Sequence, residues 1–140
     1  MIIDSIATYL KDCPLIKGNK INANFLDKKP TVYSIDNVPA DPIIVKYPDG
    51  GSKRQFLFVF ASRDLYGKEA VENFRNSGFY EQFAAWIEEQ NAARKLPKLD
   101  DGLEPLKVET LTGGYCFDQS TDEARYQIQC RLIYNKEGVI

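Results

Sequence analysis

From Ala124 to Tyr134 every second residue is apolar, and the residues between them are polar as far as Arg131. This pattern constrains the fold most. Because successive side chains of a β-strand point to opposite faces, such alternation predicts a long antiparallel strand. One face would pack on a core, and the other would be solvated or face a partner. The apolar positions are Ala124, Tyr126, Ile128, Cys130, Leu132 and Tyr134, and the polar ones are Arg125, Gln127, Gln129 and Arg131.

Two β-rich runs, Ile43 to Tyr47 and Gln55 to Ala61, flank the turn sequence from Pro48 to Ser52, which predicts a β-hairpin. The second run is apolar on both faces, so we expect it to be central in the sheet or covered on both sides. Its two faces are Phe56, Phe58 and Phe60 on one side and Leu57, Val59 and Ala61 on the other.

Helical spacing occurs twice. The first pattern predicts a helix over residues 3 to 12, ended by Pro14. A second helical region is expected from Lys68, with Ser77 as an N-cap and a break at Gly78, and Pro97 closes it. Its apolar face is Phe79, Phe83, Trp86, Ile87 and Gln90, with Phe83 and Trp86 as main anchors, and its outer face is Glu81, Gln82, Glu88 and Glu89.

The remaining apolar runs also indicate strands. Short strands are expected between Ile21 and Val38, flanking a turn at residues 27–30. Another is expected from Leu106 to Thr112, followed by a bend or bulge at Gly113 and Gly114. The chain is therefore predicted to form a single domain over residues 1–140, of the α+β class. We expect a mixed, mainly antiparallel sheet, with the N-terminal helix and a central helical segment packed on one face.

Composition excludes several classes of protein. Apolar residues make up 44% and charged residues 27% of the 140, as in a folded, soluble chain. The net charge of −2 and pI near 5.2 disfavour tight nonspecific DNA binding. No apolar run is long enough to span a bilayer, and Asp4 stands where a secretion signal would carry a basic residue, so we expect synthesis in the cytoplasm.

Few residues are candidates for catalysis, cofactor binding or metal binding. Without histidine, the Ser/His/Asp and Cys/His arrangements cannot form, and Cys13, Cys116 and Cys130 are too few for a zinc site and read as buried thiols. The acidic run 118–123 lacks the ligand spacing of an EF-hand. The loop 50–54 precedes a strand, unlike a phosphate-binding loop. The acid pairs Glu88-Glu89 and Asp100-Asp101 read as solvated surface. We therefore expect no catalytic, cofactor-binding or metal-binding residues.

Three segments together resemble the minor capsid or tail-terminator family of long-tailed bacteriophages and prophages of Gram-positive bacteria. The first is Phe60-Ala-Ser-Arg-Asp-Leu-Tyr-Gly67, and the second runs from Asn76 to Gln90 with Leu96-Pro97 after it. The third is Val108-Glu-Thr-Leu-Thr-Gly-Gly-Tyr-Cys-Phe-Asp118, closing with Ala124-Arg-Tyr-Gln-Ile-Gln-Cys130. The likeness covers most of the chain from Arg54 onward.

The resemblance implies a non-enzymatic virion protein that forms a ring, expected to be a hexamer, at the head-proximal end of the tail tube. There it would stop tube growth and join the head connector, so its partners would be its own copies, tail-tube protein and connector proteins. DNA would pass through transiently without specific binding, and no membrane is involved. The expected location is the virion tail or neck, and the host cytoplasm during assembly.

A ring uses heterologous contacts between different surfaces of neighbouring subunits. The candidates for interface or lumen surface are the polar face Arg125, Gln127, Gln129 and Arg131 and the loop 118–123. The alternative is a nucleic-acid-binding module that stacks bases on Phe56, Phe58 and Phe60. A third hypothesis, a small enzyme using carboxylates or lysines, requires an acidic cluster in an apolar pocket.

Overall fold

The computed structural model describes residues 1–14, 16, 21–23, 33–65, 78–119 and 124–138, and for residues 21–23, 62–65, 116–119 and 124–125 it describes the backbone alone. Two helices and seven strands lie in these ranges. The helices are α1 (Ile2–Leu10) and α2 (Phe79–Ala92). The strands are β1 (Ile21–Ala23), β2 (Tyr33–Val38), β3 (Ile43–Lys46), β4 (Ser52–Leu65), β5 (Leu103–Thr110), β6 (Tyr115–Gln119) and β7 (Ala124–Lys136).

All seven described strands belong to one sheet, with the order β1-β2-β4-β7-β5. The strand β3 pairs with the beginning of β4, on the same side as β2. The strand β6 pairs with the beginning of β7, on the same side as β5. Every pairing except that of β1 with β2 is antiparallel, so the predicted α+β class with a mainly antiparallel sheet is confirmed.

The predicted long strand is β7, and its alternate apolar residues from Tyr126 to Tyr134 lie on the core face of the sheet. They are opposite the phenylalanines of β4, with Phe58 beside Cys130 and Phe60 beside Ile128. Both helices pack on this face, and their buried residues join the same cluster, as predicted. Those residues are Ile3, Ile6, Tyr9 and Leu10 of α1 and Tyr80, Phe83 and Ile87 of α2.

The predicted hairpin is formed by β3 and β4, and β4 is central in the sheet. It is 14 residues long, twice the predicted run, because it continues beyond the apolar residues at both ends. Its core face is closely packed: the ring of Phe60 stacks on that of Phe83 with centroids 4.9 Å apart. Phe58 and Phe60 are fully buried, whereas Phe56 is half-buried.

The strands of the N-terminal half differ from expectation in their direction. The strands between Ile21 and Val38 exist, but β1 runs parallel to β2, so they do not form a tight hairpin. Parallel neighbours require a longer connection than antiparallel ones, because the chain must return to the same end of the sheet. The turn expected at residues 27–30 lies outside the described residues.

The second helix differs from expectation at its start. It begins at Phe79 with Gly78 as the N-cap residue, at φ +71°, a left-handed conformation that glycine adopts easily. Ser77 and the helical region expected from Lys68 lie outside the described residues. Trp86 is half-buried and packs at the edge of the core, 5.4 Å between ring centroids from Tyr9, so it is not a main anchor.

Two cysteine thiols are buried, as predicted. Cys13 and Cys130 lie in the core, and burial raises the pKa of the Cys130 thiol far above its ordinary value. The side chain of Cys116 lies outside the described part. In the described ranges, neither helix is long and apolar enough to cross a membrane.

Candidate interaction surfaces

The face of the sheet opposite the helices carries an ion cluster centred on Glu109. Its carboxylate accepts a hydrogen bond from Arg131 Nε at 2.9 Å, and Lys107 Nζ lies 2.6 Å from its other oxygen. Arg131 also donates to Gln55 Oε1 at 3.2 Å, which links three strands. Burial alone would raise the pKa of Glu109, but the hydrogen bonds from Lys107 and Arg131 prevail and hold it below its ordinary value.

A second polar cluster on this face is centred on Tyr115. Its hydroxyl accepts hydrogen bonds from Gln127 Nε2 at 2.7 Å and Gln129 Nε2 at 3.1 Å. Gln127 is only 4% exposed, and Gln129 and Arg131 are half-buried. The expectation that these residues form an open interface or lumen surface is therefore wrong for Gln127, because Tyr115 and the sheet enclose it. The side chain of Arg125 and residues 120–123 lie outside the described part.

Two buried polar atoms on this face lack a hydrogen-bond partner within the described part of the chain. They are Ser34 Oγ and Gln127 Oε1. The register places both residues beside Ala61, one on each side.

The outer edge of β5 is closed by Asn91 of α2. The Asn91 amide donates to the Val108 carbonyl at 2.7 Å, and its oxygen accepts from the Val108 N–H at 3.1 Å. Both backbone groups that Val108 would offer to a further strand are thus occupied. A side chain that blocks an edge in this way prevents pairing with another chain.

The opposite edge of the sheet is open at β3. Among the described strands, β3 pairs with β4 alone, and a bulge between Ile43 and Val45 interrupts that pairing. Two consecutive apolar side chains are exposed there, Ile44 by 40% and Val45 by 45%. An exposed apolar edge strand is a site at which another chain can bind.

A cleft of about 570 Å³ lies on the β5 side of the sheet, between the start of α2 and the segment 111–114, which connects β5 to β6. Its walls and floor are largely apolar. The lining residues are Gly78, Phe79, Tyr80, Glu81, Ala84, Thr112, Gly113, Gly114, Tyr115, Tyr126 and Ile128. Tyr126 holds one wall by donating from its hydroxyl to the Gly114 carbonyl at 3.0 Å, and Leu111 beside it is 42% exposed.

The other sequence candidates occupy unremarkable positions. The loop 50–54 is the turn and first residues of the β3–β4 hairpin, and the acid pairs Glu88-Glu89 and Asp100-Asp101 are exposed. No group of three acidic or cysteine side chains within the described ranges could hold a metal ion. The face of Phe56, Phe58 and Phe60 packs against the helices and offers no open stacking platform.

No known protein-family profile matches this sequence, and no curated protein matches it at a significant level.

Sequence reasoning missed the two surfaces that the structure brings out. Ile44 and Val45 lie in a run whose alternation predicts one buried side chain of the two, and the bulge that exposes both has no sequence signal. The cleft depends on where α2 lies against the segment around Gly113 and Gly114. A bend or bulge was predicted at these glycines, and the structure has a bend beside them, but its position relative to the helix was not predicted.

Proposed function

We propose that this chain is a non-enzymatic structural subunit that forms a ring at the head-proximal end of a phage tail tube. There it stops tube growth and joins the tail to the head connector. The sequence resemblance supports this role. In the structure, the observation that supports this role is that the two edges of the sheet differ.

Unlike edges favour a ring over a symmetric dimer. The β3 edge is open and apolar, whereas the β5 edge is blocked by Asn91. A subunit whose two edges differ contacts its neighbours through two different surfaces, which is a heterologous contact. Such contacts generate a closed ring when the rotation between subunits closes.

The polar clusters on the face of the sheet opposite the helices suit a rigid subunit. The Glu109 cluster ties β5, β7 and β4 together, and the Tyr115 hydroxyl ties β6 to β7. These links hold the sheet in one shape across its width. A ring that closes with a fixed number of copies needs subunits of fixed shape.

The direct test of the role is electron microscopy of particles from a phage in which this gene is deleted. We expect tails of irregular or excessive length that are not joined to heads, and normal tails after wild-type protein is supplied in trans. Tails of normal length joined to full heads in the deletion strain would rule the role out.

The alternative, a nucleic-acid-binding module, loses its proposed surface because Phe58 and Phe60 are buried beneath the helices. Its test is a mobility-shift titration over salt concentration. A salt-dependent shift would favour it, since phosphate contacts weaken as salt rises.

A further inference from the structure

We infer that the β3 strand of one copy docks into the cleft between α2 and the connecting segment 111–114 of the next copy. The occupant of the cleft is thus a second copy of this chain. This inference rests on the proposed ring and names the pair of surfaces that would build it.

The apolar surfaces of the two sites match. Ile44 and Val45 are exposed at one edge of the sheet, and the cleft offers the partly exposed Phe79 and Ala84 at the other. Burying the two aliphatic side chains removes apolar surface from water on both partners. An exposed apolar patch that fits a pocket elsewhere on the same molecule produces a head-to-tail contact.

The charges of the two sites are also complementary. The hairpin from Ile43 to Arg54 carries Lys46, Lys53 and Arg54 and one acidic residue, Asp49. The helix α2 carries Glu81, Glu88 and Glu89, all exposed, and no lysine or arginine. Glu81 lines the cleft itself. Opposite charges on the two surfaces steer association and disfavour contacts between two like surfaces.

Two other arrangements fit the structure less well. Pairing of β3 with the β5 edge of a neighbour is opposed by Asn91, which occupies both backbone groups of Val108. Pairing of β3 with β3 of a second copy would bring together two hairpins that both carry a net positive charge. It would also close as a dimer, because the two surfaces are then identical.

The first test uses substitutions on the hairpin. We expect Val45→Asp to weaken self-association at least tenfold by sedimentation velocity, since it places a carboxylate against an apolar, acidic cleft. Thermal unfolding of the diluted monomer should be unchanged, because Val45 is exposed. Lys46→Glu should weaken association too, whereas Lys11→Glu, a charge reversal at the exposed residue that follows α1, should not.

The second test determines which surfaces meet. Two variants are made in a Cys116→Ser background, one with Val45→Cys and one with Gly113→Cys, at a cleft position with open space around it. After mild oxidation of an equimolar mixture, we expect disulfide-linked dimers between the two variants and few within either alone. Efficient linkage of the Val45→Cys variant to itself would overturn the inference in favour of a symmetric β3 contact.

The outcomes separate the inference from the proposed function. If rings form and tails are terminated, but Val45→Asp assembles as well as wild type, the docking is wrong and the role stands. If the wild-type chain remains a monomer alone and with tail-tube protein, both the ring and the docking are wrong.

Discussion

Gly114 is packed so closely that no larger residue fits at its position. A Cβ atom there would lie 2.6 Å from Tyr80 Cδ2 and 2.7 Å from Tyr126 Cε1. We expect Gly114→Ala to lower the free energy of unfolding by about 1–3 kcal/mol, because both rings are held by hydrogen bonds and cannot move freely. Urea unfolding measures the change.

Gly113→Ala is the matched control, since nothing lies within 4 Å of the position of its added Cβ atom. It should change the free energy of unfolding by less than about 0.5 kcal/mol. Equal destabilisation by both substitutions would contradict the packing described for this wall of the cleft.

Asn91 is the residue that closes the β5 edge. We expect Asn91→Ala to cost about 1–3 kcal/mol of unfolding free energy, because the N–H and carbonyl of the buried Val108 both lose their partner. Gln90→Ala, one position earlier in the same helix, is the control and should cost less. Chemical denaturation compares the unfolding free energies of the two variants. An unchanged midpoint for Asn91→Ala would show that the β5 edge is not capped in solution.

The lowered pKa of Glu109 makes the stability of the fold depend on pH. Its folded pKa lies below the ordinary value of about 4.3, so it stabilises the fold above that pH and the contribution is lost as pH falls through the folded pKa. We expect Glu109→Gln to lose less unfolding free energy than wild type between pH 6 and pH 3. Glu104→Gln, an exposed glutamate on the same strand, is the control. Identical profiles for wild type and Glu109→Gln would exclude this contribution.

Among the elements, those with regular local patterns were predictable. The alternation of β7 and the turn sequence before β4 identified a long strand and a hairpin, because both depend on neighbours in sequence. The parallel pairing of β1 with β2 was not predictable, since nothing in the two segments states the direction in which they meet. It depends on the connection between them.

The candidate site was less predictable than the fold for the same reason. Sequence alone placed Arg131 on a polar face, but its partner Glu109 is 22 residues away and opposite it only through the register of β5 with β7. Bulges on either side of that pairing shift the register. Likewise, helical spacing placed Trp86 and Phe83 on one face without showing which of them lies beneath the helix.

The helix α2 gives a prediction about its own anchors. Phe83 is fully buried and stacks on Phe60, whereas Trp86 is half-buried beside Tyr9. We expect Phe83→Ala to cost about 3–5 kcal/mol and Trp86→Ala to cost less, although tryptophan is the larger residue. Urea unfolding of the two variants compares them directly. A greater loss for Trp86→Ala would mean that the helix packs differently from the arrangement described.

At the scale of the whole molecule, the sheet has one open and one closed edge, and the two helices cover a single face. The open edge carries exposed apolar side chains and a basic hairpin, and the closed edge adjoins an apolar cleft with an acidic helix. Those differences are the basis of the head-to-tail association that we propose. We therefore propose that the chain is a subunit whose function lies in assembly.

The mass of the assembly, measured by multi-angle light scattering at high concentration and after mixing with tail-tube protein, tests this claim most directly. A hexameric ring of the 15.9 kDa chain has a mass of about 95 kDa, six times that of the subunit. If the chain forms a ring, we expect a discrete species of ring size under at least one of these conditions. A single species of 15.9 kDa under both conditions would contradict ring assembly.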